Sequence, residues 1–305
     1  MTRTMKAAIL EIYGAPLRIA EIPVPTPGPG EVLVRIAASG VNPLDTKIHA
    51  GAAPHARHPA PAILGLDLAG TVEAVGSAAT GFRPGDDVYG MTGGVGGVPG
   101  TLAEYAAVDA DLLAIKPANL SMREAAALPL VVITAWEGLV DRMALAAGET
   151  VLVQGGAGGV GHVAVQIARA LGAEVFATGS ARSRAVIERL GATFIDRAEP
   201  VAEYVQRLTG GRGFDRVYDT VGGAALDASF VAVRRFGHVV SCLGWGTHAL
   251  ARCPSREPPI RACSPCRRCC PAKAAGIIAR FLNRRRAWRT PAGSPLCWTN
   301  GASRW

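Results

Sequence analysis

The sequence predicts an α/β protein of two domains, a β-rich N-terminal module followed by a doubly wound parallel sheet. Three observations carry this. From Glu149 onward, strand-type apolar runs alternate with amphipathic helical segments, the pattern of repeated strand–helix–strand units. The first of those strands runs directly into a glycine cluster at 155–161. Upstream, residues 1–120 hold short β-type runs separated by Gly and Pro. A length of 305 residues fits two domains of roughly 150 residues each.

In the N-terminal module the segments KAAIL, LRIAEIP, EVLVRIAASGV, LAGTVEAVG and LAEYAAV read as strands. PTPGPGE at 25–31 and FRPGDD at 82–87 are turn clusters, and GMTGGVGGVPG at 90–100 is a glycine-rich loop. The character changes near Ser121. Ser121 and Glu124 stand at capping-box spacing and open a helix, which Pro129 breaks or kinks. The expected boundaries are therefore 1–120 for the first domain and 121–250 for the second. Within the second, ETVLVQG, EVFATG, TFID, FDRVYDTVG and GHVVSCLG are five strands. Between them, VGHVAVQIARALG, ARSRAVIERLG, AEYVQRLTG and LDASFVAVR are helices.

The cluster GGAGGVG contains Gly156-x-Gly158-x-x-Gly161 between a strand and a helix, the setting in which this spacing identifies a dinucleotide site. Gly156 permits a tight turn, Gly158 lets the backbone approach a pyrophosphate, and Gly161 lets helix and strand pack closely. The helix N-terminus adds amide donors and partial positive charge. The cofactor-binding set on this reading is Gly156, Ala157, Gly158, Gly159, Val160 and Gly161, with Gly244 after the fifth strand. NAD sites place an acid about 20 residues beyond the glycines. Here Gly179 stands in that place, followed by Ser180, Arg182 and Arg184, which offer a hydroxyl and two cations to a 2′-phosphate. The expected cofactor is NADPH. The alternative for Arg182 and Arg184 is that they are solvated helix residues.

With these residues in view, the chain resembles the medium-chain dehydrogenase/reductase superfamily in its zinc-free quinone oxidoreductase (zeta-crystallin-like) branch. The resemblance rests on SGVNPLDTK (39–47), LGLDLAGTVEAVG (64–76), FRPGDDVYG (82–90), EAAALPLVVITAW (124–136), 151–175 and FDRVYDTVGG (214–223), and runs from about residue 5 to 247. It implies a GroES-like β domain, a Rossmann domain and an active site in the cleft between them. It also implies hydride transfer to a small-molecule quinone or α,β-unsaturated carbonyl (quinone or enoyl reductase chemistry) and a homodimer.

Zinc-dependent members of the superfamily place a Cys and a His-Glu pair where this chain has Asn42, Leu66 and Asp67. A catalytic zinc needs three N, S or O ligands, and Leu offers none. The stretch that would carry a four-Cys structural site has no Cys. Activity is therefore expected to be zinc-independent and to rest on positioning. Asn42 is the first candidate to contact substrate or nicotinamide, its alternative being a turn former before Pro43. Asp45 would orient Asn42 or Lys47. Lys47 stands where many members have Tyr, and is either a donor to the acceptor oxygen or a solvated lysine. Thr134 matches a Thr that the resemblance places near the nicotinamide ribose; its alternative is a capping or core-facing hydroxyl. His49, His55 and His58 fit no zinc spacing and are expected to be exposed loop residues.

After residue 250 the pattern breaks. Residues 251–305 carry eleven Arg, one Lys and one acid, a balance of +11, which leaves −3 for residues 1–250 out of the chain's +8. Six of seven Cys and seven Pro lie in this stretch. Out-of-frame translation of a GC-rich gene gives such a composition. The tail is expected to be disordered, with the sheet ending at its fifth strand and the dimer edge lost. The competing reading takes Cys263, Cys266, Cys269 and Cys270, with Cys253 or Cys297, as metal ligands. A degenerate or non-catalytic NADPH-binding remnant is the alternative to an active enzyme. A mildly acidic body argues against nucleic acid. No apolar run suits a membrane span and the N-terminus has no secretory pattern, so a cytoplasmic location is expected.

Overall fold

A computed structural model describes residues 2–244, 246–248 and 260–262. The described residues fall into two compact units, the chain dividing between Leu130 and Val131.

The first unit is built from two antiparallel sheets. In the smaller, β1 (Thr4–Leu10) pairs with β2 (Arg18–Pro23) and with the short β4 (Ala62–Ile63). The larger has the order β7-β3-β5-β6-β8, from β3 (Glu31–Gly40), β5 (Asp67–Val75), β6 (Asp87–Met91), β7 (Tyr105–Asp109) and β8 (Ala114–Ile115). Alternating residues of these strands, Val32, Val34, Leu68, Val72, Val88 and Val108, close a dry core. The β3–β5 pairing has two register shifts, between Leu33 and Val34 and between Ile36 and Ala38.

A helix the β-leaning reading did not anticipate follows β3. In α1 (Pro43–His49), Asn42 is the N-cap, Pro43 is the first helical residue and Asp45 lies in the first turn. Asn-Pro-x-Asp is a start signal in its own right. His58, expected to be exposed, is buried, with Nε2 2.9 Å from the Ile63 carbonyl; His49 Nε2 lies 2.8 Å from Ala15 O. Each ring reaches a backbone carbonyl, and the Ile63 carbonyl also accepts the Gly100 amide at 2.9 Å, so a buried imidazole finds a partner there.

The 121–136 segment forms two helices. In α2 (Met122–Ala126), the Ser121 hydroxyl and Glu124 carboxylate make the reciprocal capping box. Pro129 begins α3 (Pro129–Trp136), which passes into a π-helical turn at Glu137–Arg142.

The second unit is a parallel sheet of order β11-β10-β9-β12-β13-β14. Its strands are β9 (Thr150–Gln154), β10 (Glu174–Gly179), β11 (Thr193–Asp196), β12 (Phe214–Asp219), β13 (Val233–Ser241) and β14 (Ile260–Ala262). Every neighbouring pair is parallel. The helices between them are α4 (Gly159–Ala170), α5 (Arg184–Arg189), α6 (Val201–Thr209) and α7 (Ala224–Ala232). This is the doubly wound order 3-2-1-4-5-6, reversing between its first and fourth strands, β9 and β12. Leu152, Phe176, Ile195, Phe214, Val217 and Phe230 form the core on one side of it.

Beyond the fifth strand, where the sheet was expected to end, the three residues Ile260–Ala262 pair in parallel with β13, Val239 opposite Ile260 and Ser241 opposite Ala262. The other expectations for 251–305, the cysteine set and disorder among them, lie outside the described residues. Among the described residues no helix is long and apolar enough to cross a membrane.

Candidate active site

Each unit carries one candidate set. In the first, the end of β3, the start of α1 and the start of β5 bring Asn42, Asp45 and Asp67 together. All three are buried, at 6 %, 5 % and 0 % exposure. Asp45 Oδ2 accepts the Asn42 backbone N–H at 2.7 Å, and Asn42 Nδ2 donates to Asp67 Oδ2 at 2.9 Å. The Leu130 amide donates to both Asp67 oxygens, at 3.2 and 3.3 Å.

No cation faces these carboxylates among the described residues, and the consequence is electrostatic. Burial pushes Asp67 up to about 7, against the Asn42 and Leu130 donors, and the charge of Asp45 adds to the rise. Burial likewise pushes Asp45 up to about 6, against the amides of Asn42, Gly65 and Leu66. Of the two partners expected for Asp45, the structure selects Asn42. Lys47 is exposed and its ammonium makes no hydrogen bond or ion pair among the described residues.

Asp67 entered the sequence reading only as a position where zinc-dependent proteins have a ligand. Its role as the acceptor for Asn42 was not read there. The signal available was an acid in an otherwise apolar run, LGLDLAG, where a buried carboxylate must find donors. Zinc does not fit this set: Leu66 has no donor atom, and the Asn42 amide is committed to Asp67.

The second set lies at the C-terminal ends of the parallel strands, the edge where such sheets bind ligands. After β9 the chain turns at Gly155, whose φ of 75° is the left-handed value of the turn. Gly156 serves a different need from the tight turn expected of it: a Cβ there would lie 2.5 Å from Ala177 Cβ on β10. Gly158 is the N-cap of α4, and no side chain caps this helix. The first intrahelical bond runs from His162 N to Gly158 O at 3.0 Å, so the amides of Gly159, Val160 and Gly161 precede the ladder and point off its N-terminus. A Cβ on Gly161 would overlap the Gly155 carbonyl oxygen and lie 2.8 Å from its carbon, which is the close helix–strand approach expected. Ala157, Gly158 and Gly159 are exposed. An uncapped, glycine-lined helix start with exposed backbone suits a pyrophosphate.

Thr178 on β10 braces the turn. Its hydroxyl accepts from Gly155 N at 3.0 Å and donates to Gln154 Oε1 at 2.8 Å. Beyond β10, a Cβ on Gly179 would meet Ser183 Oγ at 2.5 Å and Ile187 Cδ1 at 2.6 Å, so an acid there requires these side-chain ends to shift. Ser180 Oγ lies 3.3 Å from Ser183 Oγ. The two arginines differ. Arg184 lies over the Phe194 ring at 4.5 Å and pairs with Glu188 at 3.5 Å. Arg182 is exposed with no protein partner among the described residues.

Thr134 is half-buried on α3, and its carbonyl accepts the Tyr218 hydroxyl at 2.9 Å. Gly244 is exposed just beyond β13. The adjoining loop after β12 is pinned by buried Asp219, which accepts from the Val221 and Gly222 amides and from Ser241 Oγ at 2.6 Å. Cys242 is half-buried beside Asp219, and burial pushes its thiol up to about 12.

Comparison with known proteins agrees with this architecture. Residues 28–118 match the family described as alcohol dehydrogenase GroES-like domain, and residues 159–257 match that described as zinc-binding dehydrogenase. The 2-methylene-furan-3-one reductase of Solanum lycopersicum is 38% identical over 232 residues, 74% of this chain and 58% of that protein. The chain thus spans less than two thirds of that relative's length. The quinone oxidoreductase of Homo sapiens is 32% identical over 252 residues, covering 80% of this chain and 75% of that one. The crystal structure of an alcohol dehydrogenase superfamily protein from Novosphingobium aromaticivorans superposes with a TM-score of 0.87 at 52% identity, over 93% of this chain and 87% of that one. With both domain families, the 3-2-1-4-5-6 sheet and the amide–carboxylate set in place of zinc ligands, the chain belongs to the medium-chain dehydrogenase/reductase superfamily, in its zinc-free quinone oxidoreductase branch.

Proposed function

We propose that the chain is an NADPH-dependent reductase of quinones or α,β-unsaturated carbonyls that works without zinc. The observation that carries the proposal is the pairing of an uncapped glycine-rich helix start with an Asn42 amide held where zinc-dependent relatives place a metal ligand. NADPH supplies a hydride from its nicotinamide ring when bound. The chain's own residues do the rest. Amides of Gly159, Val160 and Gly161 hold the pyrophosphate, and the glycines at 156 and 158 leave the approach clear. Arg182, with Ser180, takes the 2′-phosphate, and Gly179 stands where an NADH site uses an acid. Thr134 and Gly244 border the nicotinamide half of the site.

Asn42 binds the acceptor through its amide, and Asp45 and Asp67 hold it in place. A conjugated acceptor spreads the charge it gains onto oxygen, where one hydrogen-bond donor and water suffice. The printed names of the two relatives, a furanone reductase and a quinone oxidoreductase, support this substrate class. Nucleic acid and membrane have no place in this reading, which is compatible with a cytoplasmic enzyme and with the homodimer common in the family. The test is label transfer: with NADPH deuterated at the nicotinamide C4, the deuterium is expected at the β-carbon of a reduced enone, read by mass spectrometry. Unlabelled product, or none from a chain that binds NADPH, overturns the proposal.

A further inference from the structure

Asn42 is gripped at both ends, its backbone N–H by Asp45 and its side-chain Nδ2 by Asp67. Asp67 is itself immobilised. Its carbonyl accepts the hydroxyls of Ser39, at 3.1 Å, and Thr101, at 3.0 Å, and its carboxylate accepts the Leu130 amide. Gly40, its partner across the β3–β5 ladder, packs so closely that a Cβ would lie 3.0 Å from the Asp67 Cβ. A fully buried acid held this firmly is a fixed reference point for the amide that touches it.

Resting on the function proposed above, we infer that Asp67 is a positioning residue, which sets the end of the Asn42 amide presented to the acceptor. An ionised carboxylate only accepts hydrogen bonds, so the NH2 end of Asn42 faces it, one N–H donating to Asp67 and the second left to donate to the acceptor oxygen. A protonated carboxyl can donate to Oδ1 instead, and the amide then loses its preference. The groups against Asp67 are Ser39 and Gly40 from β3, Met91 from β6, Thr101, Asn42 and the Leu130 amide, all neutral, with Asp45 the charged group facing it among the described residues. Lacking a cation, Asp67 changes protonation near neutrality, and the amide's orientation follows pH: fixed above the transition, loosened below it.

The test uses the full chain as wild type, Asn42→Ala, Asp67→Asn and the double variant. An Asn at 67 cannot ionise, and with its oxygen in the place of Oδ2 it sets an NH2 group where Oδ1 now accepts the Leu130 amide at 3.2 Å, so the site no longer holds Asn42 through an acceptor-only group. If Asp67 acts through Asn42, Asp67→Asn lowers kcat about tenfold or more with NADPH affinity unchanged, and the double variant is no slower than Asn42→Ala alone. The wild-type acid limb near pH 7 disappears in Asn42→Ala. Independently of activity, the side-chain amide resonance of Asn42 in protein labelled with 15N-asparagine is expected to titrate with a midpoint near pH 7 in wild type. Costs that multiply in the double variant, or an Asn42 resonance that does not titrate, overturn the inference. A chain that reduces no acceptor refutes the proposed function instead, and the resonance still decides the role of Asp67.

Discussion

Replacing Gly161 by Ala places a methyl group into the carbonyl of Gly155, with the carbonyl carbon at 2.8 Å and Gly156 Cα at 3.0 Å. Both neighbours are backbone, so no rotamer change relieves the overlap, and α4 must move away from β9. Overpacking costs about 1–3 kcal/mol, and the rigidity of this contact puts Gly161→Ala at the upper end. The gain of Ala over Gly inside a helix offsets about 1 kcal/mol. The net loss is about 2 kcal/mol, or roughly 4–8 °C in Tm for a chain of this size class. The same displacement carries the amides of residues 159–161 off the pyrophosphate. Losing one charge-assisted hydrogen bond, at about 1.5–3 kcal/mol, weakens NADPH binding about 10- to 100-fold. Gly159→Ala is the internal control for the melting measurement, because its Cβ would find only Val131 Cγ1 at 3.6 Å, an ordinary contact. Calorimetric melting and fluorescence titration with NADPH measure both. A Gly161→Ala protein with wild-type melting and affinity would refute the packing argument.

The arginines separate in cofactor kinetics: Arg182→Ala is expected to raise KM for NADPH about tenfold or more and leave NADH unchanged. Arg184→Ala changes it less, because that guanidinium is already stacked on Phe194 and paired with Glu188. Stability should also depend on pH through the raised carboxyls. Their folded pKa values, about 7 for Asp67 and about 6 for Asp45, exceed unfolded values near 4, so the folded state binds more protons between these limits. Their contribution is full below pH of about 4 and is lost as pH rises through about 6–7, by a few kcal/mol at most. Asp67→Asn should flatten this slope in chemical denaturation between pH 5 and pH 8; an unchanged slope counts against the assignment. Gly40→Ala should destabilise by about 2 kcal/mol or more, since its Cβ would overlap the Ala126 carbonyl oxygen and crowd Asp67, and equilibrium unfolding measures it.

Much of the second unit was legible because its signals are local. The β9–turn–α4 sequence and the alternation that follows it announce themselves within a few residues, as does the Ser121–Glu124 box that ends the first unit. The first unit was harder. Its strands β4, β6 and β8 are short or begin inside turn clusters, and their pairing is set by distant partners such as β1 and β5. Helix α1 carried a readable cap, but a β-rich setting outweighed it. Asn42 was read as a site residue on chemistry, whereas Asp67 became visible only when β5 placed it 25 positions away in sequence and 2.9 Å away in space. The division of labour between Arg182 and Arg184 depended on Phe194, which belongs to the neighbouring strand β11.

The most direct test of zinc-free, NADPH-dependent reduction is the steady-state oxidation of NADPH by the full chain with an enone and with a quinone, before and after exhaustive treatment with a metal chelator. The expected result is turnover with at least one acceptor, at a rate the chelator leaves unchanged and NADH does not match. Turnover that disappears on chelation and returns with zinc, or NADPH binding with no turnover of either acceptor, contradicts it.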